Sequence, residues 1–329
     1  MAGGGHGTKA VLAALVANAG IALAKFVGFL ITGSASLLAE SVHSVADTGN
    51  QGLLLHGGRR ARRAATPQHP FGYGRERYFW SFVVALMLFS LGGMFAIYEG
   101  VQKLRDPHEI ESAEIAIAIL VVAIALEALS FRTAIVESNQ VKEPTASWWR
   151  FVRRSKHPEL PVVLLEDLGA LVGLVIALVA VIVTSVTDNP IYDAAGTLSI
   201  GILLVIIAAV LAIEMKGLLI GEAARVSDQE AIGAAIEVDP AVKRLIHLRT
   251  QHLGPEELLV GAKIELVDGL TVTEVTEIVN RVETSVRRAV PIARVMYLEP
   301  DVFRTSLPAD LDPPPAPPPA PDPMPTTGE

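Results

Sequence analysis

The sequence predicts an α-helical membrane protein, with six transmembrane helices followed by a small cytoplasmic α+β domain. Three observations carry that prediction. Of the 329 residues 51% are hydrophobic and only 5% aromatic, and mean hydropathy is positive, a balance foreign to ordinary soluble domains. The apolar residues collect into six runs, near 9–31, 36–56, 79–101, 114–137, 161–185 and 193–219, each close to the about 20 residues that cross a bilayer. After Gly221 these runs stop and short alternating patterns replace them.

The start, "MAGGGHGTKAVLAALVANAG", lacks the short apolar core and small-residue cleavage site of a secretory signal, so the first span is expected to stay in the mature protein. The loop after the second span holds Arg59, Arg60, Arg62, Arg63, Arg75 and Arg77, and the loop after the fourth holds Lys142, Arg150, Arg153, Arg154 and Lys156. The opposite loops carry only Lys103 and Arg105. Basic residues in short loops mark the cytoplasmic side, which places both termini there in an integral, multi-pass protein. Arginines flanking spans are topology signals before they are a nucleic-acid patch, so no nucleic-acid partner is expected. The expected location is a bacterial plasma membrane.

Beyond the last span, Ser227 stands three residues before Glu230, a capping-box start for a short helix. The segment "VKRLIHLRTQH" reads as a strand, and Leu258, Val260, Ala262, Ile264 and Leu266 alternate as in a strand with one buried face. Thr271 and Glu274 then cap a helix whose Val275, Ile278, Val279, Val282 and Val286 form one stripe. "ARVMYLEP" supplies a third strand. The order helix, strand, strand, helix, strand is ferredoxin-like, and so small a unit favours a partner copy, giving a homodimer. The expected divisions are 1–222 for the membrane domain, 223–303 for the α+β domain and 304–329 for an extended, disordered Pro-rich tail.

The functional signal lies in polar and ionisable groups inside the spans, since a charged one costs about 2.5 to 3.5 kcal/mol at a bilayer centre and needs a partner. They are Asn18 and Lys25 in span one, Glu40, His43, Asp47 and Asn50 in span two, Glu127 in span four, and Glu166 with Asp167 in span five. Acids outnumber bases, so a divalent cation suits the set better than ion pairing alone. His43 and Asp47 are one helical turn apart and can hold one ion between them. Lone Asn18 and Asn50 read first as interhelical hydrogen-bond formers. The absence of cysteine excludes disulfides, thiolate nucleophiles and thiolate metal sites. Imidazole and carboxylate suit Zn(II), Fe(II), Co(II) or Mn(II) and not Cu(I), with zinc the default. A proton can compete with metal for the His43 nitrogen, which makes metal moving against protons the natural mechanism. There is no His-Glu-x-x-His and no positioned nucleophile, so an enzyme is not expected.

Three segments resemble the cation diffusion facilitator family of zinc transporters. "GSASLLAESVHSVADTGN" resembles its second helix with the His-x-x-x-Asp ligand pair, "HPFGYGRER" its loop between helices two and three, and "LLEDLGALVG" its fifth helix. The resemblance implies six spans, a cytoplasmic dimerisation domain, alternating access by rocking helices, no resident cofactor, and zinc exported against protons. It implies His43, Asp47 and Asp167 as metal ligands, with Glu166 or Glu127 completing the shell. It departs from the family where a ligand four residues before Asp167 is replaced by Val163. Glu166 lies about 100 degrees round the helix from Asp167, an imperfect substitute, and water is a third option. "LLED" with this gap resembles the branch that includes the mitochondrial zinc transporter nine. Thr66, His69 and Tyr73 replace the family's loop ligands, and Ile246, Lys263 and Leu298 its soluble-domain ligands, so neither place is expected to bind metal. His247 and His252 are expected to be solvated, and Arg75, on the loop, to help tie the membrane part to the soluble domain. An Mn(II) or Fe(II) exporter and a non-transporting membrane scaffold are the alternatives.

Overall fold

The computed structural model describes residues 19–33, 35–107 and 113–304, with the side chains of Ala35, Ser36, Glu40 and His43 outside the description. The chain divides into two compact units. One holds the residues up to Arg225 with Thr250–Leu259 and Ile292–Val295, and the other holds Val226–Arg249, Val260–Pro291 and the residues from Met296 on.

The first unit is a helical bundle. Its helices are α1 (Ala19–Thr32), α2 (Ala35–Ala61), α3 (Glu76–Met87), α4 (Phe95–Arg105), α5 (Ala113–Val141), the short α6 (Trp148–Arg154), α7 (Glu159–Thr187) and α8 (Ile191–Ile220). A π-helical stretch, Leu88–Met94, joins α3 to α4, so that Glu76–Arg105 forms one continuous apolar element. Within it Ser90 returns its hydroxyl to the Leu86 carbonyl at 2.8 Å, a back-bond that loosens the regular ladder. Pro158 and Pro190 sit just before α7 and α8, where a missing N–H costs nothing. α7 ends at Asp188 in the left-handed region, and α8 ends at Gly221 with φ 115°, a conformation that glycine adopts freely.

Among the described residues four helical elements are long and apolar enough to cross a membrane: Glu76–Arg105, Ala113–Val141, Glu159–Thr187 and Ile191–Ile220. The first expected span begins outside the described residues and continues as the shorter apolar α1. α2 is 27 residues long but carries Glu40, His43, Asp47 and Asn50 along its length, which lowers its hydropathy below that of the other four. Large apolar side chains such as Leu30, Val122, Val179, Ile206 and Ile213 point outward, as they do where the surroundings are hydrocarbon and not water. Leu37, Tyr78, Leu120, Leu174, Ile200 and Leu211 fill the interior. α7 packs against α2, α3, α5 and α8, which brings it against both helices that carry the other buried carboxyls, α2 and α5.

The α+β elements follow in the expected order: α9 (Val226–Glu237), β1 (Val242–Gly254), β2 (Glu257–Leu266), α10 (Val272–Ala289) and β3 (Ala293–Pro300). The sheet order is β1-β2-β3. Leu258 N–H donates to the Ile292 carbonyl and Asp301 N–H to the Ile264 carbonyl, so the register of β2 and β3 advances together and the pair is parallel. Leu258, Val260, Ala262 and Ile264 are all buried. Thr271 and Glu274 form the expected capping box, and Ile278, Val282 and Val286 form the buried stripe of α10. α9 begins at Val226, which places Ser227 inside its first turn and not at the cap. His252 corrects an expectation: it is 1% exposed and not solvated, with Nδ1 3.2 Å from the Gly254 carbonyl oxygen, because it lies at the buried end of β1. His247 is exposed.

Candidate functional site

Three helices bring carboxyl groups into the interior of the bundle: Asp47 on α2, Glu127 on α5, and Glu166 with Asp167 on α7, all buried. Adjacent residues on a helix diverge by about 100°, and α7 uses that divergence. Glu166 turns toward α2, where its Oε1 accepts from Asn50 Nδ2 at 2.6 Å and its carboxyl lies within hydrogen-bonding reach of that of Asp47. Asp167 turns toward α5, where its Oδ2 accepts from Ser130 Oγ at 3.0 Å. Glu127 is close enough to act electrostatically on Asp47, Glu166 and Asp167. Lys25 donates to Ser44 Oγ at 2.7 Å, and its charge acts on Asp47 and Glu127.

Two carboxyls in contact inside a low-dielectric interior need a proton or a cation between them, because two bare charges would repel strongly. The arrangement can therefore exchange one for the other. His43 falls on α2 one turn before Asp47, but its side chain, like that of Glu40, lies outside the described residues. Among the described residues no three His, Asp or Glu side chains stand close enough to hold a metal ion as they are.

A cavity of about 540 Å³ reaches Asp167 and Ser130, passing Val163, Gln51 and Ser138 before it meets Arg77, His157 and Glu159. Those last residues belong to the helix ends that carry the arginine-rich loop. The Gln51 side-chain amide oxygen and the Ser138 hydroxyl are buried without hydrogen-bond partners among the described residues, so the wall offers oxygen to whatever passes. Arg77 pairs with Glu159 and reaches Glu256 at 3.7 Å. Burial, and then the nearby Arg77 charge, hold the His157 imidazole below its usual pKa, so it is neutral near neutral pH.

Sequence reasoning placed Asp47, Glu127, Glu166 and Asp167 in the interior and read Asn50 as the interhelical hydrogen-bond former that it is, but missed Ser130. Ser130 had one usable signal, its place three residues after Glu127 on the same helix. The cavity had none. Arg77, where Arg75 was expected, makes the ion pairs beside α7 and at Glu256.

Carboxyl groups clustered inside helices long and apolar enough to cross a membrane form a constellation able to hold a cation, since buried acids in a span need a partner. The model of the cation efflux transmembrane domain matches residues 11–220 and that of the cation efflux protein cytoplasmic domain residues 225–297. The chain belongs to the cation efflux family. It is 32% identical to the human proton-coupled zinc antiporter SLC30A9, mitochondrial, over 80% of this chain and 47% of that protein. It is 33% identical to metal tolerance protein C4 of Arabidopsis thaliana over 79% of this chain and 57% of that one. With the magnetosome protein MamB of Paramagnetospirillum magneticum it shares 25% identity over 87% of this chain and 90% of that one. The chain thus spans about half the length of the SLC30A9 proteins it matches. The likeness to SLC30A9 agrees with the branch suggested by "LLED".

Proposed function

We propose that this protein exports divalent metal cations from the cytoplasm in exchange for protons, with zinc the preferred substrate, and that it is no enzyme. The carrying observation is the contact between the carboxyls of Asp47 and Glu166, buried on facing helices, with Asn50 fixing the second. On this reading His43, Asp47 and Asp167 bind the metal and Glu166 or Glu127 completes the shell, releasing it as protons arrive. The working unit is a homodimer with six spans per protomer, residues 1–222 forming the membrane part and 223–303 the dimerising part, with both termini cytoplasmic. Support comes from a relative whose name is that of a proton-coupled zinc antiporter. The matched relatives include one named as mitochondrial, one from a plant and one named for the magnetosome, so the chemistry and not a particular membrane carries the reading.

A second reading, export of Mn(II) or Fe(II), is favoured by the described ligand candidates being all oxygen, a set that suits harder ions. Reconstitution into proteoliposomes with an imposed proton gradient separates the two. Zinc accumulation that stops when an ionophore dissipates the gradient, and that Asp47→Ala and His43→Ala each abolish, is the expected result. Near-normal transport by Asp47→Ala removes the site assignment, and indifference to the ionophore removes the antiport.

A further inference from the structure

A second cavity, of about 780 Å³, lies away from the carboxyl cluster, at the end of the bundle that carries the arginine loop. Its walls join the α2–α3 loop to the first turns of α3, the last turn of α8, and Gln251, Leu253 and Leu259 of β1 and β2. Glu76 is its one acidic lining residue, and both of its oxygens are engaged: Arg60 Nε donates to Oε1 at 2.9 Å and Trp80 Nε1 to Oε2 at 2.9 Å. Arg75 is therefore left over. Its Nε is buried without a hydrogen-bond partner among the described residues, a costly state for a charged donor that an incoming anion relieves. Phe71 and Phe79, 43% and 47% exposed, line the same cavity with Leu219 and give it an apolar side where the helices leave the bilayer. Outside it Arg59, Arg62 and Arg63 are exposed and add to a positive field on this face.

We propose that this cavity binds an anionic phospholipid, its phosphate held by Arg75 and the upper part of an acyl chain laid along Phe71, Phe79 and Leu219. A guanidinium fork suits phosphate oxygens, and a free anion would leave the apolar wall uncovered. The aromatic residues stand where interfacial side chains meet headgroups. Nothing in this reading depends on the metal site, so each can fail alone.

Native mass spectrometry of the full-length wild-type protein in detergent, titrated with phosphatidylglycerol, phosphatidylcholine or inorganic phosphate, tests it. Phosphatidylglycerol should bind saturably and more tightly than phosphatidylcholine, and inorganic phosphate should not displace it. Arg75→Gln should weaken phosphatidylglycerol about fivefold, the scale of one arginine at a membrane surface. Arg75→Lys, which keeps the charge without the fork and guards against a folding defect, should bind between wild type and Arg75→Gln, and Arg62→Gln should lose much less than Arg75→Gln. Equal binding of the two lipids, wild-type binding by Arg75→Gln, or displacement by inorganic phosphate would overturn the proposal, the last by making the cavity a site for a free anion.

Discussion

The side-chain amide of Asn50 on α2 donates to Glu166 on α7 at 2.6 Å, linking the helix with the His-x-x-x-Asp pair to the helix that lacks its usual second pair. A hydrogen bond to a charged group contributes about 1.5–3 kcal/mol, and groups that orient ligands typically govern affinity about 10–100-fold. Asn50→Leu is therefore expected to weaken zinc binding by about 10–100-fold while leaving the helical circular dichroism unchanged. Calorimetric titration of the purified protein reads this directly. Unchanged affinity would make the Asn50 contact incidental.

The contact of Glu166 with Asp47 also ranks the two candidates for the missing ligand. Glu166→Gln keeps the size and the Asn50 acceptor but removes the charge nearest Asp47, so metal affinity should fall sharply. Glu127→Gln removes a charge that acts from further away and should cost less. The same titration decides, and the reverse order would assign the shell to Glu127. Loss from neither substitution would leave a three-ligand site closed by water.

Depth and residue type were legible in the sequence because burying an acid in a bilayer is costly enough that Asp47, Glu127, Glu166 and Asp167 stand out against the apolar runs around them. The period of the α+β segment was equally plain, from the alternation at Leu258–Ile264 to the Thr271 cap. Direction was harder. Whether Glu166 or Asp167 faces α2 depends on how α7 is rotated between its neighbours, and that rotation is set by packing along its whole length. Cavities have no local signature at all, since Gln51, Ser138, Val163 and His157 come from three helices and a loop. The π-helical stretch was hidden for a similar reason: Leu88–Met94 reads as continuous helix until Gly93 is placed against α8.

That crossing makes a stability prediction. A Cβ on Gly201 would stand 2.7 Å from Ile97 Cγ1 and 3.0 Å from the Gly93 carbonyl oxygen, and the backbone on the other side cannot retreat as a side chain would. Gly201→Val should destabilise the bundle by about 1–3 kcal/mol through overpacking. Gly52→Ala, with nothing within 4 Å of its added carbon, should be close to neutral. Thermal unfolding in detergent compares them, and equal melting temperatures would remove the packing argument.

The cap of α10 predicts a pH dependence. Hydrogen bonds from the backbone N–H of Thr271, and then from its hydroxyl, hold the Glu274 carboxyl below its usual pKa. The stabilisation is therefore fully present above the unfolded value, about 4.3, and is lost as pH falls through the lower folded value. Hydrogen exchange in the first turn of α10, corrected for intrinsic rates, should accelerate below about pH 4 in the wild-type chain. Thr271→Ala should lower helix stability by about 1 kcal/mol and, because the residue 271 N–H still donates to Glu274, only weaken that dependence, while Glu274→Gln should abolish it. A wild-type acid response that survives Glu274→Gln would assign it to another carboxylate.

The departure at Val163 can be tested by restoring the family's pattern. Val163 precedes Asp167 by one helical turn, so their side chains share a face, and both line the same cavity, which gives an imidazole room without displacing the core. Val163→His would add a nitrogen ligand beside a carboxylate that Ser130 already orients. Nitrogen raises affinity more for zinc than for manganese, the earlier metal of the series, so the ratio of zinc to manganese affinity should rise. A rise of about tenfold, ~1.4 kcal/mol, is the expected scale, measured by competition between the two ions on the purified variant. The gain should disappear when Asp167→Asn is added, since the new imidazole needs its partner to close on the ion. An unchanged ratio in Val163→His would mean that Asp167 does not bind the metal, and that the shell is built from Asp47, Glu166 and the residues of α2.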